Sequence, residues 1–228
     1  MPPETLFRSF FMAGFECSTH RNQRRHRLDM IAATHHDMLA HEDYRQLGEH
    51  GIRTARDGVR WHLIETRPGH YDWSSVLPMI RAAERAGTQV IWDICHYGWP
   101  DDLDVFAPAF VDRFARYAAA FARLHREETG RAPLVCPVNE ISFLAYAGGD
   151  MERCSPHATG RGMDLKRNLV RAAIAGTQAV RAAVPGTRVA AIDPVIHIVP
   201  RHEHEAEEVR LHTESQWQAW DMLAGREE

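Results

Sequence analysis

The stretch "RAPLVCPVNEISF" (131–143) decides the fold. Its apolar run, Leu134 to Val138, ends abruptly in Asn139 and Glu140. A near-continuous apolar run marks a strand covered on both faces, as in a parallel sheet. An amide and a carboxylate at the mouth of such a strand are costly to desolvate, so chemistry is expected to use them. If Glu140 does acid–base work, a second carboxylate is expected as well.

Outward from this strand, short β-type runs alternate with longer helical patterns. Strands are expected at 10–15, 51–59, 88–95, 133–138 and 187–198, and helices near 41–50, 73–86, 108–128, 162–184 and 203–224. In the third helix Phe110, Phe114, Tyr117, Phe121 and Leu124 are spaced for one face. Gly51, Gly87 and Gly130 stand where helices should stop. Such alternation implies βα units and a parallel α/β sheet. A doubly wound sheet usually carries a glycine-rich phosphate loop after its first strand. Here "ECSTHRNQRRHR" follows instead. A barrel places polar residues at the C-terminal ends of many strands. This chain does so with Glu16, Arg56, Asp57, His96, Asn139, Glu140 and His197. The expected fold is therefore a TIM-type (β/α)8 barrel, incomplete at about five βα units, in one domain over 1–228.

Composition narrows the partners. The 228 residues are 44% hydrophobic, enough for one core, and carry a net charge of −4 without a basic block. That argues against nucleic acid or an anionic membrane as partner. No window reaches membrane-spanning length. The four cysteines show no CxxC or metal-type spacing, and the opening "MPPETLFRSFFMAGFECS" lacks a signal-peptide pattern. Reduced thiols in a cytoplasm are expected, with no cofactor and no metal.

Each candidate residue has a functional and a plain reading. Glu140, partly desolvated at a strand mouth, is expected to hold its proton near neutrality and serve as a general acid. The plain alternative is a helix cap or an arginine partner. Asn139 can both donate to and accept from a sugar hydroxyl; alone it reads as a turn residue. His96 opens "HYGWP", bringing an imidazole and the rings of Tyr97 and Trp99 to one strand end, either as a sugar-binding wall or as packing. Arg56 inside a barrel strand needs a carboxylate answer, for which Asp57 and Glu16 are the candidates.

The ordered set "RxxxxW" on strand 2, "HYxxP" on strand 3 and "NE" on strand 4 resembles the family 1 glycoside hydrolases, retaining β-glucosidase-like (β/α)8 barrels. The resemblance is best over 44–145. It implies hydrolysis of the O-glycosidic bond of a small β-glucoside-type substrate. It implies Glu140 as the acid/base, Asn139 on the sugar 2-hydroxyl, His96 on another hydroxyl, and Arg56 beneath the nucleophile. The sequence also departs from the family. Arg21, with Glu16 nearby, stands where the family has a sugar-binding glutamine, and Tyr97 stands where it has a tryptophan.

Retaining hydrolysis needs two carboxyl groups about 5 Å apart. The resemblance puts the second on strand 7, and only five strands are expected here. The chain therefore reads as a truncated or inactive form of such an enzyme. The alternative is a non-catalytic carbohydrate-binding remnant. Open sheet edges make self-association an expectation. Of the fifteen histidines, five cluster after strand 1 (His20, His26, His35, His36, His41) and three after strand 5 (His197, His202, His204), without HxxxH or HExxH spacing. They read as solvated loops. The basic run "HRNQRRHR" reads the same way, or as a contact for a phosphorylated sugar.

Overall fold

The computed structural model describes residues 6–227. The first five residues, part of the opening read for a signal peptide, lie outside them. Five strands form one parallel sheet in sequence order: β1 (Ala13–Gly14), β2 (Thr54–Gly58), β3 (Gln89–Asp93), β4 (Leu134–Cys136) and β5 (Arg188–Val189). After β1 come α1 (Met30–Ala33) and α2 (His36–Glu49); after β2, α3 (Trp61–Ile64) and α4 (Leu77–Ala86). Helix α5 (Pro108–Thr129) follows β3. After β4 come α6 (Ile141–Leu144), a π-helical turn (Ala145–Asp150) and α7 (Gly162–Ala183); after β5, α8 (Ala206–Ser215) and α9 (Gln218–Leu223). Parallel neighbours that never reverse their order wind as a barrel does, whereas a doubly wound sheet reverses at a switch point. The fold is an incomplete (β/α) barrel. No helix among the described residues is long and apolar enough to cross a membrane.

Register sets which side chains face which layer. Ile91 pairs with Arg56 and Leu134, and Asp93 with Gly58 and Cys136. Because side chains alternate, Val90, Trp92, Ile94 and Val135 join the large core under the helices. Ile91, Leu134 and Cys136 instead form a small cluster on the other face, with Phe7, Ala190 and Ile192 against it. In a closed barrel layers of side chains from all strands fill this inner space. Here five strands supply it, and the inner cluster stays small.

The helical layer follows the sequence pattern. Phe110, Phe114, Tyr117 and Phe121 of α5 are fully buried, and Trp61 stacks on Tyr117 at 4.9 Å. Gly87 and Gly130 end α4 and α5 in the left-handed region that glycine adopts without strain. Helix α7 lies so close to α5 that a Cβ on Gly176 would stand 2.6 Å from Phe114 Cε1.

Three expectations need correction. The fifth strand, expected over 187–198, pairs only at Arg188–Val189, with one further bridge between Asn139 and Ile192. Pro194 has no N–H for a ladder, and among the described residues no strand lies on the far side of β5. His197 is consequently an exposed residue beyond the strand rather than a strand-end group. The expected last helix is broken at Gln216–Trp217 into α8 and α9.

Candidate functional site

The C-terminal ends of β1 to β4 open on a cleft of ≈ 350 Å³ lined by Glu16, Ser18, Met30, Arg56, His96, Tyr97, Asn139, Glu140 and Phe143. Six of the seven residues named with the family resemblance therefore meet in one place. Arg21 does not. It lies in a neighbouring hollow, where it bonds Asp101 through Nε (3.1 Å) and Nη2 (2.5 Å). Trp99 belongs to the core, edge-on to Phe110 at 5.8 Å.

The floor of the cleft is one hydrogen-bonded network. Arg56 Nη2 donates to Asp93 Oδ2 at 2.5 Å and to Asn139 Oδ1. Asn139 Nδ2 lies 2.9 Å from His96 Nε2, and His96 Nδ1 lies 2.9 Å from Asp93 Oδ2. A proton on Nδ1 satisfies all of these contacts, with His96 donating to Asp93 and accepting from Asn139. Arg56 is answered by Asp93, not by Asp57 or Glu16 as the sequence suggested. Burial works against its charge, but Asp93 outweighs burial and holds the guanidinium above its ordinary pKa. Register explains the change of partner. Arg56 and Asp93 both face the barrel interior, whereas Asp57 points to the helices.

Asp57 there forms a second network. It accepts from His36 Nε2 at 2.7 Å, from the Tyr44 hydroxyl and from the Gly58 amide at 2.7 Å. His36 Nδ1 lies 2.6 Å from Asp43 Oδ2. Burial opposes the imidazolium, yet the two carboxylates together raise its pKa.

The rim carries two carboxyl groups. Glu140 accepts from the Tyr97 hydroxyl, and its amide donates to the Ile192 carbonyl at 2.9 Å. Both residues sit in the left-handed backbone region, at φ 42 and φ 61, which non-glycine residues adopt at a cost, often at functional sites. Burial, then the Glu140 carboxylate, pushes the Tyr97 phenol well above its ordinary pKa, so it remains a donor. Glu16 faces the cleft from β1, with Oε1 4.0 Å from His96 Nε2. Burial raises its pKa, but its bonds to Ser18 and the charges of His96 and Arg56 prevail and hold it low. The cleft thus combines an ionised carboxylate, a phenol–carboxyl pair and an amide–imidazole pair. Such groups suit polyhydroxylated ligands and proton transfer.

One residue beside the cleft escaped the sequence reading. Asp193 follows Ile192 and accepts from the Ser142 amide (3.1 Å) and hydroxyl (2.8 Å), at the start of the helix after Glu140. Burial raises its pKa to about 6 against the Ser142 bonds. The expected strand over 187–198 hid it; the acid before a proline in "AIDP" was the available signal.

Cys17 Sγ, Asp93 Oδ2 and His96 Nδ1 lie within 4.8 Å of one another, the set among the described residues that could hold a metal ion. The donors fit poorly. Arg56 already brings a positive charge to Asp93, and burial, then Asp93 and Asp57, hold the Cys17 thiol protonated. The histidines after β1 scatter, and His202 and His204 stack on each other at 5.4 Å outside the cleft.

No known family's sequence pattern matches the chain, and no curated protein sequence does. Solved structures do match. An AHE enzyme from Alicyclobacillus herbarius superposes with a TM-score of 0.70 at 15% identity, over 80% of this chain and 43% of its own. A β-glucosidase from Thermotoga maritima in complex with azafagomine gives 0.66 at 20%, over 77% and 41%. The virulence factor SghA, bound to its substrate analog salicin, gives 0.70 at 14%, over 82% and 43%. At such identities the likeness is one of fold. The chain spans about two-fifths of the length of these structures, so what it shares with them is part of their fold, to which it brings five parallel strands with their helices.

Proposed function

We propose that this chain is the β1–β5 portion of a retaining, β-glucosidase-like glycoside hydrolase resembling family 1, acting on a small β-glucoside. The observation that carries the reading is the convergence of Arg56, His96 and Asn139 into one bonded network directly beside Glu140. In this reading Glu140 is the acid/base and delivers its proton to the departing glycosidic oxygen. Tyr97 holds the carboxyl in place through its hydroxyl. Asn139 and His96 exchange their mutual bond for sugar hydroxyls, and Glu16 takes a further hydroxyl from the β1 side. Arg56 keeps a buried Nε without a partner among the described residues, which suits an acceptor above it. The resemblance puts the nucleophile there, on a seventh strand beyond the five. By itself the chain then binds sugar without double displacement.

The test supplies the missing nucleophile. With an activated dinitrophenyl β-glucoside and azide, azide bonds to C1 while the C1–oxygen glycosidic bond breaks and dinitrophenolate leaves. The expected product is α-glucosyl azide, formed only when azide is present and reduced by Asn139→Ala. Sugar binding by nuclear magnetic resonance titration without azide turnover would favour the second reading, a non-catalytic carbohydrate-binding remnant. Neither binding nor turnover would falsify both. Robust hydrolysis without azide, abolished by Glu140→Gln, would place the nucleophile within the chain.

A further inference from the structure

A second hollow is larger than the cleft. Behind Phe143 lies a cavity of ≈ 740 Å³ between the π-helical turn, the start of α7, the segment after β5 and α8. Phe143 is the one residue lining both, so the two spaces are neighbours separated by a ring. Its apolar lining comes from Phe143, Tyr146, Met163, Ile196, Ile198 and Leu211. The volume falls within the range of about 300–1,000 Å³ typical of small-molecule sites.

Lys166 makes this more than a greasy gap. It lines the hollow while its residue is only 7% exposed. Its ammonium donates to the Ser215 carbonyl and to Gln218 Oε1, both at 3.0 Å, and so clamps the joint between α8 and α9. An ammonium has three N–H groups; the third has no partner among the described residues. A buried donor left over in an apolar space is costly unless an acceptor meets it.

The surrounding charges choose the acceptor. Asp150 lines the same hollow, spent on the Gly162 amide at 2.6 Å, and His212 lies on its wall. Asp193, Glu227 and Asp150 already act on Lys166 electrostatically. Burial outweighs them and lowers the lysine pKa, and an anionic ligand would meet these carboxylates as like charge.

We propose that this hollow binds an uncharged aryl or alkyl molecule carrying one carbonyl or hydroxyl oxygen, which accepts the third Lys166 proton while its apolar body packs on Phe143, Met163, Ile196 and Leu211. The site is separate from the cleft and does not depend on the glycosidase reading. The probe is Prodan, an uncharged acylnaphthalene dye whose emission reports its surroundings, titrated into the full chain. Saturable one-to-one binding with a blue shift is expected. Leu211→Glu places a charge on an exposed wall position without touching the core, and should weaken binding by about tenfold or more. Lys166→Met should weaken it as well, with helicity checked because the lysine also clamps α8 to α9. Excess glucose should not displace the dye. Binding unchanged by Leu211→Glu, displacement by glucose, or emission that tracks self-association of the chain would each overturn the proposal.

Discussion

Arg56→Met asks how much the cleft floor depends on a single guanidinium. Asp93 is fully buried, and its remaining contacts are His96 and a distant thiol. Breaking a buried pair from one side costs about 3–5 kcal/mol, because the surviving charge stays out of water. That loss should appear in urea denaturation at pH 7. A change under about 1 kcal/mol would mean that Asp93 finds water or a proton at little cost. Asp193 supplies a prediction of the opposite sign. Its folded pKa of about 6 lies above the ordinary aspartate value, so the folded chain binds the proton more tightly between those values. Stability falls as pH rises through that window. Asp193→Asn should therefore raise the melting temperature at pH 8 and lose the advantage near pH 4, measured by differential scanning fluorimetry. Equal shifts at both pH values would rule the charge out as the cause. At this scale the sequence was legible where polar residues interrupt an apolar run at its end, as with Asn139 and Glu140. It was opaque where a carboxylate sits inside the run. Asp93 in "VIWDIC" and Asp57 in "TARDGV" look alike, and only register sends one to the cleft and the other to the helices.

Helix α7 meets α5 across a glycine, and two effects compete there. Replacing a helix-interior glycine by alanine gains about 1 kcal/mol of helix propensity. At Gly176 the new methyl would sit 2.6 Å from a fully buried Phe114 ring that has no room to swing aside. Overpacking costs about 1–3 kcal/mol, so Gly176→Ala should be destabilising on balance; a stabilised variant would show that α7 slides freely. Helix α2 carries a pH-dependent tie to β2 through His36 and Asp57. The folded His36 pKa is raised, so its stabilisation is complete below the unfolded value of about 6.5 and fades as pH climbs through the folded value. The stability gap between the parent chain and His36→Gln should accordingly be wide at pH 6 and narrower at pH 9. A gap constant with pH would make His36 a packing residue only. Helix positions were readable from spacing and glycine stops because α4, α5 and α7 obey a period. The last strand was not, since an apolar "VAAIDPVIHI" reads as β whether or not a neighbour exists to pair with it.

Five units leave a sheet with two unpaired sides, and both are greasy. Phe10 and Phe11 precede β1 at 92% and 74% exposure, and Val195, Ile196 and Val199 extend beyond β5 at 57–68%. Exposed apolar residues beside strand edges invite pairing, and a net charge of −4 over 228 residues opposes it weakly. We expect the chain to self-associate as concentration rises, seen as a growing weight-average mass in sedimentation equilibrium. The double variant Phe10→Lys, Phe11→Lys should lower that mass, because lysine is a residue with which natural edges are guarded. A parent chain that stays monomeric throughout would mean that its own segments shield the edges well enough. Association is not closure, however. Two copies bring ten strands to an architecture that closes with about eight, so a symmetric pair buries edges without presenting a new carboxylate to Arg56. Sugar binding in the cleft should then be the same in the parent chain and in the lysine variant. If association instead tightened sugar binding, the second copy would be completing the cleft, and the barrel would be shared between chains.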